Sequence, residues 1–159
     1  MLLLLLVVYA CILLSESFPK GSDTRALPKT WHFMLGLKVF ELIWFRLIAK
    51  LVNSTPLIEP PIARWQDLTA KAVRALLYLL MITMPLLGWL RLGAAGKSIP
   101  FYGWQLPALV AENKGITETV KDVHEAGATV IYFLVGIHAL AALCHHYFVR
   151  DKTLRQTLP

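Results

Sequence analysis

The chain has 159 residues, of which 57% are hydrophobic and 16% charged, with a net charge of +6. A soluble domain carries about a quarter charged residues, so the class is integral membrane protein, short enough for one domain. The basic excess fits loops facing anionic lipid, and no basic run with interleaved aromatics calls for nucleic acid as a partner. No Walker loop, GxGxxG, HExxH or GxSxG motif occurs, which leaves nucleotide enzymes and the common hydrolases without support. Cys11 and Cys144 lie in apolar segments without CxxC or zinc spacing and read as small buried hydrophobes.

Met1 to Ser15, MLLLLLVVYACILLS, is apolar but shorter than the ~20 residues that cross a bilayer. It lacks the basic start of a signal peptide. It reads as the second half of a first transmembrane helix whose beginning is absent, with a tilted interfacial segment as the alternative. A loop follows to Lys29, and Pro28 and Thr30 mark a helix start. The second span covers 31–52, with His32 at its mouth beside Trp31, an interfacial anchor. Lys38 and Glu41 lie deeper, at a spacing that lets them meet. Charges at that depth pair or face a cavity, so they read as a neutralising pair or as neighbours of a haem propionate.

Asn53 to Gln66 is a proline-rich loop, and the third span covers 67–92. Pro85 is expected to kink it. Gly88 allows close approach of a helix or of a porphyrin face. In the long loop 94–116, FYGWQLPALV is apolar yet broken, expected to lie on the membrane surface or cap the bundle, and is a candidate lid over an outer site. The fourth span covers 117–149, followed by the polar tail DKTLRQTLP. The fold class is an all-α membrane protein, a four-transmembrane-helix bundle with its first helix shortened. Four spans put both termini on one side. That side is the better cytoplasmic candidate, because Arg46, Lys50, Arg64, Lys71, Arg74 and Arg150 crowd its helix ends.

All five histidines, His32, His124, His138, His145 and His146, fall in or at the edge of a span. His124 and His138 are fourteen residues apart, which returns them to nearly one helix face about 21 Å further along. Two imidazoles so placed are what a membrane helix offers to two stacked haems; core histidines bonded to neighbouring helices are the plainer alternative. Cofactor sites in bundles are built from facing helices. His32 and His124 open their spans on the same side and can bind one iron from both faces. Bis-imidazole ligation suits electron transfer. His138 lies toward the inner side, where no other span supplies a histidine. His145, in line with His138, is a candidate hydrogen-bond partner or proton carrier for a quinone, or with His146 an interfacial anchor.

With these residues in place the sequence resembles the bacterial cytochrome b561 family over nearly its whole length. The resemblance is carried by DVHEAGATVIYFLVGIHALAALCHHYFVRDKTLRQTLP, by LLYLLMITMPLLGWL and by the WH opening the second span. It implies a four-helix membrane cytochrome with two b-type haems, His32 and His124 ligating the outer one. His138 would ligate the inner one, opposite a histidine early in the first span. In this chain Met1 falls after the point where that histidine stands in family members, so only the His32/His124 site is complete. The third span often has a histidine where Arg74 stands here. Family members carry electrons to the quinone pool in the cytoplasmic (inner) membrane. One branch resembles superoxide oxidases, passing electrons from superoxide outside to ubiquinone inside, which would make the chain an oxidoreductase. Lys29 and Lys121, near the outer mouth, could attract that anion, or be ordinary solvated charges. A membrane-anchor subunit docking a larger redox protein, or a degenerate bundle with one haem, are the alternatives.

Overall fold

The computed structural model describes residues 1–53 and 63–149. The middle of the proline-rich loop and the tail from Arg150, with the basic residues expected there, lie outside the described residues. Four helices are described: α1 (Leu2–Glu16), α2 (Asp23–Val52), α3 (Arg64–Ala94) and α4 (Lys114–Cys144). Between α3 and α4 stand two short antiparallel strands, β1 (Ile99–Phe101) and β2 (Trp104–Leu106). They are a small departure from an all-helical chain.

α2, α3 and α4 begin earlier than the apolar runs. α2 starts at Asp23, an acidic residue favoured in a first turn, and not at Pro28, which lies inside it. So near the helix start, Pro28 forfeits only the bond its N–H would make to the Thr24 carbonyl. α4 starts at Lys114 because Asn113 caps it, its Oδ1 accepting from the Ile116 amide at 3.0 Å. At its far end the last five residues, His145–Val149, widen into a π-turn, a form that tends to mark functional positions.

α3 packs chiefly on α4 and α2, and α1 on α2. α1 and α2 run antiparallel: Ser15 Oγ donates to the Arg25 carbonyl near the loop, and Val8 meets His32 further in. A central apolar cluster joins Val8, Val39, Ile43, Leu77 and Met81, with Leu134 and Val135 of α4 packed on it. A second cluster joins Leu37, Leu92 and Ile99. The outward faces are apolar as well: Leu3, Phe45, Leu79, Phe133 and Leu140 are all exposed. A monomer in water rarely shows so continuous an apolar surface, and a lipid environment accounts for it. α3 and the stretch Lys114–Val149 are long and apolar enough to cross a membrane; α1 is a shorter apolar helix. α2 is interrupted by Lys38 and Glu41, which pair at 2.9 Å.

Candidate functional site

His32 and His124 meet. Their ring centroids are 6.4 Å apart, from α2 and α4 respectively. They line a cleft with Phe33, Gly36, Leu37, Pro85, Gly88, Trp89, Leu92 and Ile99, around a cavity of about 40 Å³. Apart from the two imidazoles the lining is apolar, the usual build of a cofactor site. Gly88 faces His124: a Cβ there would lie 3.6 Å from His124 Cε1. Ile99, 1% exposed, is contributed by β1, so the loop expected to cap the bundle forms part of the cleft wall. Its turn, Tyr102–Gly103, has both φ angles positive, at 45° and 88°, the signature of the tight hairpin turns matched to strand twist. Trp89 Nε1 donates to the Pro107 carbonyl at 2.9 Å and ties the same loop to α3.

The two histidines differ in their partners. His32 Nδ1 lies 3.0 Å from the Val8 carbonyl. A carbonyl only accepts, so Nδ1 carries the proton and, in the neutral ring, Nε2 keeps its lone pair. That is the arrangement of metal-binding histidines, whose second nitrogen is held by a carbonyl or carboxylate. His124 Nδ1 is buried with no hydrogen-bond partner; the Met84 carbonyl is close by but outside bonding geometry. An unsatisfied buried nitrogen is costly, and an orphaned polar atom in an apolar cleft fits a site completed by a bound group. The spacing fits as well. A metal ~2.0 Å from each ring nitrogen, with the nitrogens about 1.1 Å from their ring centres, sets the centroids roughly 6.2 Å apart. Among the described residues no group of three or more His, Cys, Asp or Glu could hold a bare metal ion. Haem iron asks the protein for axial ligands alone.

The other sequence candidates lie elsewhere. His138, half-buried on α4, is in the electrostatic reach of Arg74 and Arg46, so three helices bring basic groups together at that depth. Lys50 sits over the Tyr78 ring at 5.2 Å, adding to that basic end. His145 opens the π-turn and takes part in contacts of its own. Cys11 and Cys144 are free thiols, Cys144 exposed rather than buried, since that face of α4 is uncovered. Lys38 and Glu41 satisfy each other and do not line the cleft. Lys121 is shared between Asp122 at 3.7 Å and Glu125 at 3.8 Å. Lys29, before the span, has the opposite surroundings. Partial burial, then the charges of Lys97, Arg91 and Arg25, hold its pKa below the usual 10.5. Reasoning from sequence missed Arg25, Arg91 and Lys97 as a group, because they come together from two helices and the loop after α3.

The sequence model of the prokaryotic cytochrome b561 family matches residues 1–159. The chain is 39% identical to cytochrome b561 homolog 1 of Escherichia coli K12 over 158 residues, 99% of this chain and 90% of that protein. It is 32% identical to the probable superoxide oxidase CybB of Yersinia pestis, over 99% of this chain and 89% of that protein. It is 27% identical to cytochrome b561 homolog 2 of Escherichia coli K12, over 80% of this chain and 68% of that one. With the whole chain matched and a histidine pair spaced for an iron, the chain belongs to the prokaryotic cytochrome b561 family, membrane electron-transfer proteins that bind b-type haem.

Proposed function

We propose that this chain is a multi-pass cytochrome of the bacterial cytoplasmic membrane that takes electrons from superoxide on the outer side and delivers them to ubiquinone on the inner side. In this reading α1 to α4 are four spans of one cytochrome domain, with both termini cytoplasmic. His32 and His124 hold the outer haem, His138 contributes to an inner one, and His145 contacts the quinone. The observation that carries it is the His32–His124 pair brought together from α2 and α4, 6.4 Å between centroids, with the proton of His32 fixed by Val8. The likeness to a probable superoxide oxidase supports the choice of donor. The overall conversion balances as two superoxide, one quinone and two protons giving two dioxygen and one quinol.

Bound haem supplies one-electron chemistry through its iron. The chain's own residues do the rest. Val8 holds His32 in one tautomer, Gly88 leaves room beside His124, and Phe33, Leu37, Trp89 and Ile99 exclude water from the cleft. With His32 and His124 both as ligands, a bound haem would have no position open for oxygen chemistry at the metal, which suits outer-sphere electron transfer. Lys29, Arg25, Arg91 and Lys97 put positive charge at the outer mouth, where an anionic donor arrives.

The test is a reduced-minus-oxidised spectrum of purified protein with haem quantified per chain. The intact chain is expected to show a b-type band, reducible by enzymatically generated superoxide in the presence of a soluble ubiquinone. His32→Ala and His124→Ala are each expected to remove the same haem. Full haem content in either variant would overturn the ligand pair, and a superoxide-inert band would overturn the donor.

A further inference from the structure

Two consecutive residues of α1 reach the two helices that carry the histidine pair. Val8, 9% exposed, offers its carbonyl to His32 Nδ1 at 3.0 Å. Tyr9 donates its hydroxyl to the Ala128 carbonyl at 2.5 Å. Ala128 lies one turn beyond His124 on α4, so this bond docks α1 beside the second histidine. It is a sparse junction: α1 packs on α2 and is not among the elements against which α4 packs closely. The Tyr9 ring also stands 6.0 Å from that of Tyr132, but Tyr132 is largely exposed and gives little lateral restraint. The hydroxyl makes the hydrogen bond that ties α1 to α4 beside His124, while Leu134 and Val135 meet the cluster around Val8 further along α4.

We propose that Tyr9 is a positioning residue for the His32–His124 site: by bonding Ala128 it fixes the height and rotation of α1, and so the Val8 carbonyl that receives the His32 proton. The proposal rests on the reading of these histidines as haem ligands. A carbonyl on the distal N–H raises the basicity of a ligating imidazole and fixes its ring orientation. A more basic axial ligand favours ferric iron and lowers the reduction potential. Loosening α1 lengthens that bond, weakens the donation and frees the ring.

Tyr9→Phe keeps the ring packing and removes only the donor. The expected result is a fully loaded protein in which the outer haem, identified as the one lost in His124→Ala, titrates at higher potential. Each tenfold loss of preference for ferric iron appears as about 59 mV for one electron. The g values of the low-spin ferric signal, which follow imidazole orientation, are expected to shift with it. Tyr132→Leu, which leaves the hydroxyl bond in place, is expected to titrate as the unaltered protein. A loaded Tyr9→Phe protein with unchanged potential and g values overturns the positioning role. So does a Tyr132→Leu shift as large as that of Tyr9→Phe. Should Tyr9→Phe lose its haem on purification, haemin titration of the membrane-embedded apoproteins decides. Affinity weakened by about tenfold or more supports the role, and equal affinity overturns it. Retention of full haem in both histidine variants removes the ligand assignment itself, whereas their loss of haem beside an unshifted Tyr9→Phe removes only the role of Tyr9.

Discussion

At the scale of single residues, Lys29 shows how a charge can be tuned by neighbours that sequence does not place beside it. Its burial and the cations Lys97, Arg91 and Arg25 disfavour the ammonium form, so its pKa lies below 10.5. The sign for stability follows from proton counting: between the lowered value and 10.5 the unfolded chain holds more protons than the folded one. Stability from this group therefore rises with pH through that interval and is complete above it. For an anionic donor the sign is opposite, because the attracting charge is lost as pH climbs through the lowered value. Initial rates of haem reduction by superoxide should fall on an alkaline limb that is blunted in Lys29→Gln. Replacing Lys97 with Gln removes one repulsion and should move that limb upward. A pH profile identical in all three proteins would discard Lys29 as a contributor. The histidines themselves were legible, since span and depth paired His32 with His124 and set His138 apart. The Val8 carbonyl and the Tyr9 hydroxyl were not. Both act through contacts between distant parts of the chain, and neither a valine nor a tyrosine in an apolar run announces which carbonyl or ring it will meet.

At the scale of elements, the apolar runs located the helices, while caps set their true ends. Asn113 and Asp23 extend α4 and α2 beyond the hydrophobic stretches, because polar turns outside the hydrocarbon still satisfy backbone bonds. The Tyr102–Gly103 turn was a readable hairpin signal within a segment expected to be irregular. α3 and α4 approach closely at Gly127, where an added Cβ would lie 2.5 Å from Met84 Sδ and 3.2 Å from its Cε. Small residues permit this kind of approach in membrane bundles. Gly127→Val should push against a buried side chain and cost about 1–3 kcal/mol, read as a lower unfolding temperature in detergent with partial haem loss. Met84→Ala alone opens a cavity in the core and should also destabilise, by roughly 2–5 kcal/mol. Together the two should cost clearly less than their sum, since each relieves the fault of the other. Strict additivity in this double-mutant cycle would mean that the helices do not interlock here.

At the scale of the whole molecule, the two ends of α4 present different chemistry, and in the proposed function that difference gives electron flow its direction. The end proposed to face outward holds a pair of imidazoles in an apolar cleft, with Arg25, Lys29, Arg91 and Lys97 nearby. Further along, His138 sits near Arg46 and Arg74, and His145 lies beyond it in a π-turn. The fourteen residues from His124 to His138 span about 21 Å, so a single outer site cannot serve a quinone bound near His145. On the proposed route, transfer across the bundle then requires His138, although reduction from outside does not. In His138→Ala the outer band should remain, and superoxide should still reduce it at close to the normal rate. Quinol formation should drop to the background of the uncatalysed reaction, and the outer haem should stay reduced because its electron has no exit. Measuring absorbance of the b band and quinol yield in the same sample separates the two events. Undiminished quinol formation in that variant would show that electrons leave from the outer site, and the transmembrane route would have to be given up in favour of one confined to the outer face.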